Sequence, residues 1–137
     1  MSVIVSIADL ITDDLKTKLP TIEDKISRVL YFKTTLKSTQ ELQIFVIPVG
    51  VVKEQSDRCV DSVEYTIDIS VNQKIVDDND IEGLVTLCET ICNELKYEQY
   101  SEYTITEITN NPLFDFTLLR DNKLFSALLS VKVWGHE

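Results

Sequence analysis

The stretch Val63–Leu95 constrains the fold more than any other, because it joins two different hydrophobic periods through one short turn. Val63, Tyr65, Ile67, Ile69, Val71 and Ile75 alternate with Glu64, Thr66, Asp68, Ser70, Asn72 and Lys74. A period of two predicts a strand with one buried face over Val63–Ile75, its apolar row broken only at Gln73. Ile81, Leu84, Val85, Cys88, Ile91, Cys92 and Leu95 then fall within roughly 120° of arc when each residue advances about 100°, which is the apolar stripe of a helix. The turn Asp77-Asp78-Asn79-Asp80 fits a helix start. Asn79 is placed to cap the free amides, Glu82 stands at capping-box spacing, and acidic charge suits a helix N-terminus. Two one-sided elements on so short a turn fold back on each other, stripe against sheet.

A chain of 137 residues with 44% hydrophobic content is expected to form one domain, 1–137, with its own core. No apolar run reaches the roughly 18 residues that span a bilayer. Met1–Leu10 lacks the basic start and apolar block of a signal peptide, so a soluble protein made in the cytoplasm, with no membrane partner, is expected. Cys59, Cys88 and Cys92 are odd in number and two lie on the helix stripe, which reads as reduced thiols instead of a disulfide framework. Thirteen basic against twenty-three acidic residues give a net charge of −10, which opposes adhesion to phosphates and to anionic membranes. The acid is dispersed along the chain. Its plain reading is a solubilising surface; the alternative is a surface that repels DNA.

Around that centre, residues 6–19 read as a helix with Ser6 as cap, Asp9 at capping-box spacing and Pro20 as its stop. Ile7, Ile11, Leu15 and Leu19 form its stripe, while Leu10 lies off it, either a spare leucine or a second contact. Val29–Leu36 and Leu42–Val52 read as strands joined by a hairpin loop at Lys37-Ser38-Thr39-Gln40. Pro48 places the second strand at an edge, at a bulge or leaving the sheet. Lys53–Arg58 reads as a polar arm, either a surface loop or a partner contact. Tyr103, Ile105 and Glu107 mark another strand, ended by Asn110-Asn111-Pro112. Phe114–Leu119 and Leu124–Trp134 read as a hairpin through Asp121-Asn122. The last strand is apolar on both sides: Phe125, Ala127, Leu129, Val131 and Val133 form one row, and Leu124, Leu128 and Trp134 interrupt the other. Such a strand is central in the sheet or covered by another subunit.

Signs of catalysis are few. The sole histidine, His136, stands one residue from the C-terminus, where fraying is expected, so a His-based nucleophile system has no support. Gly50, Gly83 and Gly135 are too scattered for a phosphate-cradling loop or dinucleotide fingerprint. Cys88 and Cys92, one turn apart, lack the further ligands of a structural zinc site and read as small core residues. The 77–80 cluster lacks the glycine and the terminal glutamate of a calcium loop. Glu23-Asp24 and Asp13-Asp14 read as solvated pairs. A binding or structural protein without a cofactor is expected.

Taken in order, the helix, hairpin, polar arm, alternating strand, acidic turn, second helix and closing strands resemble the tail terminator, or tail completion, proteins of long-tailed bacteriophages. The likeness spans most of the chain and rests above all on Val63–Ile75, the acidic turn, Ile81–Leu95 and the ending Phe114–Trp134. The resemblance implies a virion protein, assembled in the host cytoplasm, that forms a ring commonly of six copies. Such a ring caps the tail tube, meets the head–tail connector or neck protein, and lets DNA pass without specific binding. The alternatives are a head completion or neck connector, or a small non-enzymatic adaptor that binds one partner through the 53–58 arm. The expected fold is α+β, two-layered, with a mainly antiparallel (mixed) sheet and helices 6–19 and 80–97 on one face. If a ring forms, the surfaces most in need of cover are Leu10 and the residues Leu124, Leu128 and Trp134 of the last strand. The candidate partner arm comprises Lys53, Glu54, Gln55, Asp57 and Arg58. Candidate bore-lining acids are Glu64, Asp68, Asp77 and Asp78, which would disfavour phosphate contacts.

Overall fold

The computed structural model describes residues 2–30, 41–54, 62–100 and 102–136. The alternating stretch forms β3 (Ser62–Lys74), with its apolar row buried and its polar row facing the other way. It pairs antiparallel along its whole length with β6 (Leu124–His136) and from Ser62 to Asn72 with β2 (Gln43–Glu54). A short β1 (Ile26–Arg28) lies parallel beside β2. On the far side β6 carries β5 (Tyr103–Thr109), which carries the two-residue β4 (Gln99–Tyr100). The order β1-β2-β3-β6-β5-β4 makes a mixed six-stranded sheet, antiparallel except at β1.

Two helices cover one face of this α+β sheet. The first, α1 (Val3–Lys18), packs on β1 and β2; the second, α2 (Asn79–Leu95), packs on β6 and touches α1. Ile7, Ile11 and Leu15 from α1 and Leu84, Cys88, Ile91 and Leu95 from α2 meet Ile44, Val46, Ile67, Ile69, Val131 and Val133 in one core. Each such side chain, fully buried, contributes roughly 1.5–3 kcal/mol. The helices are also tied at their C-terminal ends. Lys18 Nζ reaches Asp14 at 3.1 Å and Glu98 at 3.0 Å and donates to the Glu94 carbonyl at 2.8 Å, while Tyr100 Oη donates to Asp14 at 2.7 Å. Burial works against the Lys18 ammonium, yet Glu98 and Asp14 hold its pKa above the usual value. Gly135 is required by close approach, because a Cβ there would stand 2.7 Å from the Tyr103 ring.

Several expectations are corrected. The first helix begins at Val3, so Ser6 is interior and donates to the Ser2 carbonyl instead of capping; Pro20 opens a 3-10 turn just past the helix end. No side-chain cap comes from Asn79. The N-cap position is Asp78, without a side-chain cap; Asp77, one residue before it, accepts from the Asn79 amide through Oδ1 at 3.0 Å. A strand not expected from the sequence, Ile26–Arg28, runs parallel to β2, and Val29 and Leu30, the first residues of the expected strand Val29–Leu36, are not strand. Residues 31–40, with the rest of that expected strand and its loop, lie outside the described residues. Within β2 the register shifts between Pro48 and Gly50, the bulge that a residue without an N–H favours. Phe114–Leu119 is not a strand: Phe116–Asn122 is a helix, α3, because Asp115 Oδ1 accepts from the Thr117 and Leu118 amides. Lys123, in the left-handed region at φ 53°, turns the chain into β6. His136 closes the β3–β6 ladder opposite Ser62 instead of fraying. The last strand, apolar on both sides, is central, between β3 and β5.

Candidate assembly surface

The helices seal one side of the sheet, and the cross-strand register defines the other. Its rows run Gln43–Asn72–Ser126, Phe45–Ser70–Leu128, Ile47–Asp68–Ser130–Thr109, Gly50–Thr66–Lys132–Glu107 and Val52–Glu64–Trp134–Thr104. We call this the open face. Leu128 is 51% exposed and Val52 54%. Phe45 and Ile47 are half-buried beside them. At the start of β6 the segment before α3 folds back along the strand, the Asp115 amide donating to the Ser126 carbonyl at 2.8 Å. Between that segment and the strands lies a groove of about 600 Å³ bordered by Ser70, Phe114, Phe116, Leu128 and Ser130. Phe114 bridges Phe116 and the buried Phe125 in ring contacts of 4.6 and 5.2 Å.

The expected contact residues do not form one patch. Leu128 and Trp134 share the open face, six residues apart on one strand, or roughly 20 Å. Leu10 is exposed but belongs to α1, on the opposite side of the sheet. Leu124 is a correction: it is only 3% exposed, because α3 and the Lys123 turn pack against the start of β6. In the expected arm, Lys53 and Glu54 are the last residues of β2, paired with Val63 and Ser62, and so are strand and not loop. Gln55, Asp57 and Arg58 lie outside the described residues, as does Cys59. Reading the sequence alone missed Phe45, Ile47 and Val52 as open-face residues. Leu42–Val52 is nearly continuous apolar sequence, so no alternation marks a face; only pairing with Ser70, Asp68 and Glu64 does so.

The candidate bore acids divide likewise. Glu64 and Asp68 stand on the open face, but Lys132 Nζ lies 3.2 Å from Glu64 Oε1. Burial pushes the Asp68 carboxyl above the usual carboxylate range, and a hydrogen bond with Ser130 offsets part of that. Asp77 and Asp78 sit in the exposed turn after β3, on the order of 30 Å along the strand from Glu64. The open face interleaves Glu64, Asp68 and Glu107 with Lys74 and Lys132. By contrast, residues 75–98 hold seven acids against the single Lys96. The acidic field therefore belongs more to the α2 side than to the open face.

Little of this arrangement is suited to chemistry. Burial raises the Cys88 thiol to about 12, so it stays protonated at neutral pH, and Cys92 is raised for the same reason. Among the described residues, no group of three His, Cys, Asp or Glu side chains gathers to hold a metal. Nor, among them, is any helix long and apolar enough to cross a membrane.

No family model matches this chain, and no curated protein does. Among solved structures, a chain from the virion of a native gene transfer agent particle shares the fold, with a TM-score of 0.60 at 10% sequence identity. The match covers 99% of this chain and 100% of that one. A second solved chain, 12% identical over 94% of each, reaches a TM-score of only 0.45 and carries no argument.

Proposed function

We propose that this protein is a virion structural component, non-enzymatic, acting as a tail terminator: a ring, commonly of six copies in the proteins it resembles, that caps the tail tube and meets the neck. The single observation carrying this reading is the end-to-end correspondence of fold with a chain of a gene transfer agent virion, with neither chain contributing a large extra region. The open face supports it, since exposed Leu128, Val52 and Trp134, with no second helical layer among the described residues, are what a subunit leaves for its neighbours. In this reading the ring's partners are further copies of itself, a tail tube protein and a head–tail connector or neck protein. It works in the virion after assembly in the host cytoplasm, and DNA passes through without specific binding.

The charge distribution refines the picture of the bore. On the open face Glu64, Asp68 and Glu107 stand against Lys132 and Lys74, so a bore lined by it would be only weakly acidic and partly hydroxylated. A bore lined by the α2 side, with Asp77 and Asp78, would be strongly repulsive to phosphate. Sedimentation velocity of the purified protein, with recovery of a tagged copy in particles, tests the function. A single ring-sized species that enters particles is expected. A monomer at all concentrations that never enters particles would favour the adaptor reading instead.

A further inference from the structure

We infer that neighbouring copies join edge to edge, the β5 edge of one copy pairing with β1 of the next, so that the sheet continues round the ring; this rests on the ring reading above. Beyond β4, which pairs with Tyr103 and Thr104, and the Glu98 carbonyl, which accepts from the Ile105 amide at 3.0 Å, the side of β5 away from β6 has no strand partner among the described residues. The run Glu107-Ile108-Thr109 starts at the bulge at Ile105/Glu107, is then regularly paired with β6, and carries no lysine or proline; the bulge and the Glu107 charge are its only edge-blunting features among the described residues. A groove of about 280 Å³ runs beside it, between Ile105–Ile108 and the end of α2 at Cys92, Lys96 and Tyr97. At the other end of the sheet β1 pairs only with β2 among the described residues.

Strand direction fits a second copy as the occupant. β1 is parallel to β2, and three successive antiparallel steps lead from β2 through β3 and β6 to β5, so β1 and β5 run in opposite directions. Placing one copy's β1 against the next copy's β5, with both helical layers on the same side, therefore gives an antiparallel ladder. The side chains agree: Ile26 and Ile108 fall on the helical side, while Ser27 and Thr109 are both exposed on the open face. Because the two joined edges differ, the contact is head to tail, the kind that closes by rotation into a ring. Five strands at about 4.8 Å give roughly 24 Å of sheet per copy, so six copies would close at a backbone radius of roughly 23 Å, leaving an open bore.

Directly opposed antiparallel residues lie within disulfide range. Two registers keep the faces matched, so the pairs to test are Ser27→Cys with Glu107→Cys and Ser27→Cys with Thr109→Cys, in the full-length chain under mild oxidation. Ser27→Cys with Thr66→Cys, a mid-sheet open-face position, is the control, and the parent reports any linkage through its native cysteines. One of the first two variants should move most of the chain into a ladder of disulfide-linked oligomers, while the control and the parent do not. Rings seen in micrographs of all four proteins without a ladder in either register would overturn the edge pairing and leave the ring reading intact. Absence of rings in the parent as well would overturn both.

Discussion

β3 shows two faces built by different rules. Toward the helices, Val63, Tyr65, Ile67, Ile69 and Val71 are buried in one close-packed cluster with α1 and α2. Away from them, Glu64, Thr66 and Asp68 sit in cross-strand rows that mix hydroxyls, ion pairs and exposed apolar side chains such as Leu128 and Val52. A face closed by the chain's own helices tolerates no unpaired charge and little change in volume. A face without a helical layer among the described residues accepts charge and retains exposed apolar groups such as Leu128 and Val52. In the proposed reading, the helical face serves folding and the open face serves assembly.

Adjacent substitutions on β3 break the comparison most directly. Ile67→Asp buries a carboxylate with no partner and should cost more than about 4 kcal/mol, enough to abolish soluble expression. Thr66→Asp, one residue away on the open face beside Lys132, should cost at most about 1 kcal/mol. Chemical denaturation of both, or the soluble yield where one fails to fold, checks the pair. Equal losses would mean that the two faces are not distinct.

The same contrast holds on β6 with a smaller effect. Phe125→Ala empties a fully buried site packed against Phe114 and should cost about 3–5 kcal/mol. Trp134→Ala, on the open face, should cost clearly less in the isolated subunit and act mainly on assembly. Denaturation midpoints together with sedimentation profiles separate the two outcomes.

How much of this was legible in the sequence depended on the length and purity of each pattern. Val63–Lys74 and Asn79–Leu95 were readable because many residues repeat one period and the buried stripe then follows. Ile26–Arg28 was not, since three residues with Ser27 and Arg28 among them show no alternation, and its strand character comes from pairing with Ile44–Val46. Phe114–Leu119 misled because phenylalanine and threonine favour strands and Asp121-Asn122 reads as a hairpin turn, while the deciding feature is one Asp115 side chain that caps two amides. Leu124 has the parity of an open-face residue and is buried only because α3 folds over it, a tertiary effect with no local signal. The open face was only partly visible: Leu128 and Trp134 stood out as breaks in a polar row, whereas Phe45 and Val52 were lost in a continuous apolar run.

The smallest effect sharpens the comparison through pH. Burial raises the Asp68 carboxyl pKa in the folded chain above its ordinary value of 3.8. The folded state therefore binds the proton more tightly than the unfolded one, so its stabilising contribution is present at low pH and is lost as pH rises through the raised value. Asp68→Asn should accordingly raise the melting temperature slightly at pH 7, with the gain shrinking as pH falls toward the ordinary carboxylate range. A difference that stays constant with pH would assign the effect to packing instead.

Negative-stain imaging of the purified protein tests the central claim, that this subunit folds as one half of a contact it completes with its own copies. The account predicts closed rings of uniform diameter with a central opening, formed without any other protein. A field of dispersed particles no larger than a 15.7 kDa monomer, at every concentration and salt, would contradict it.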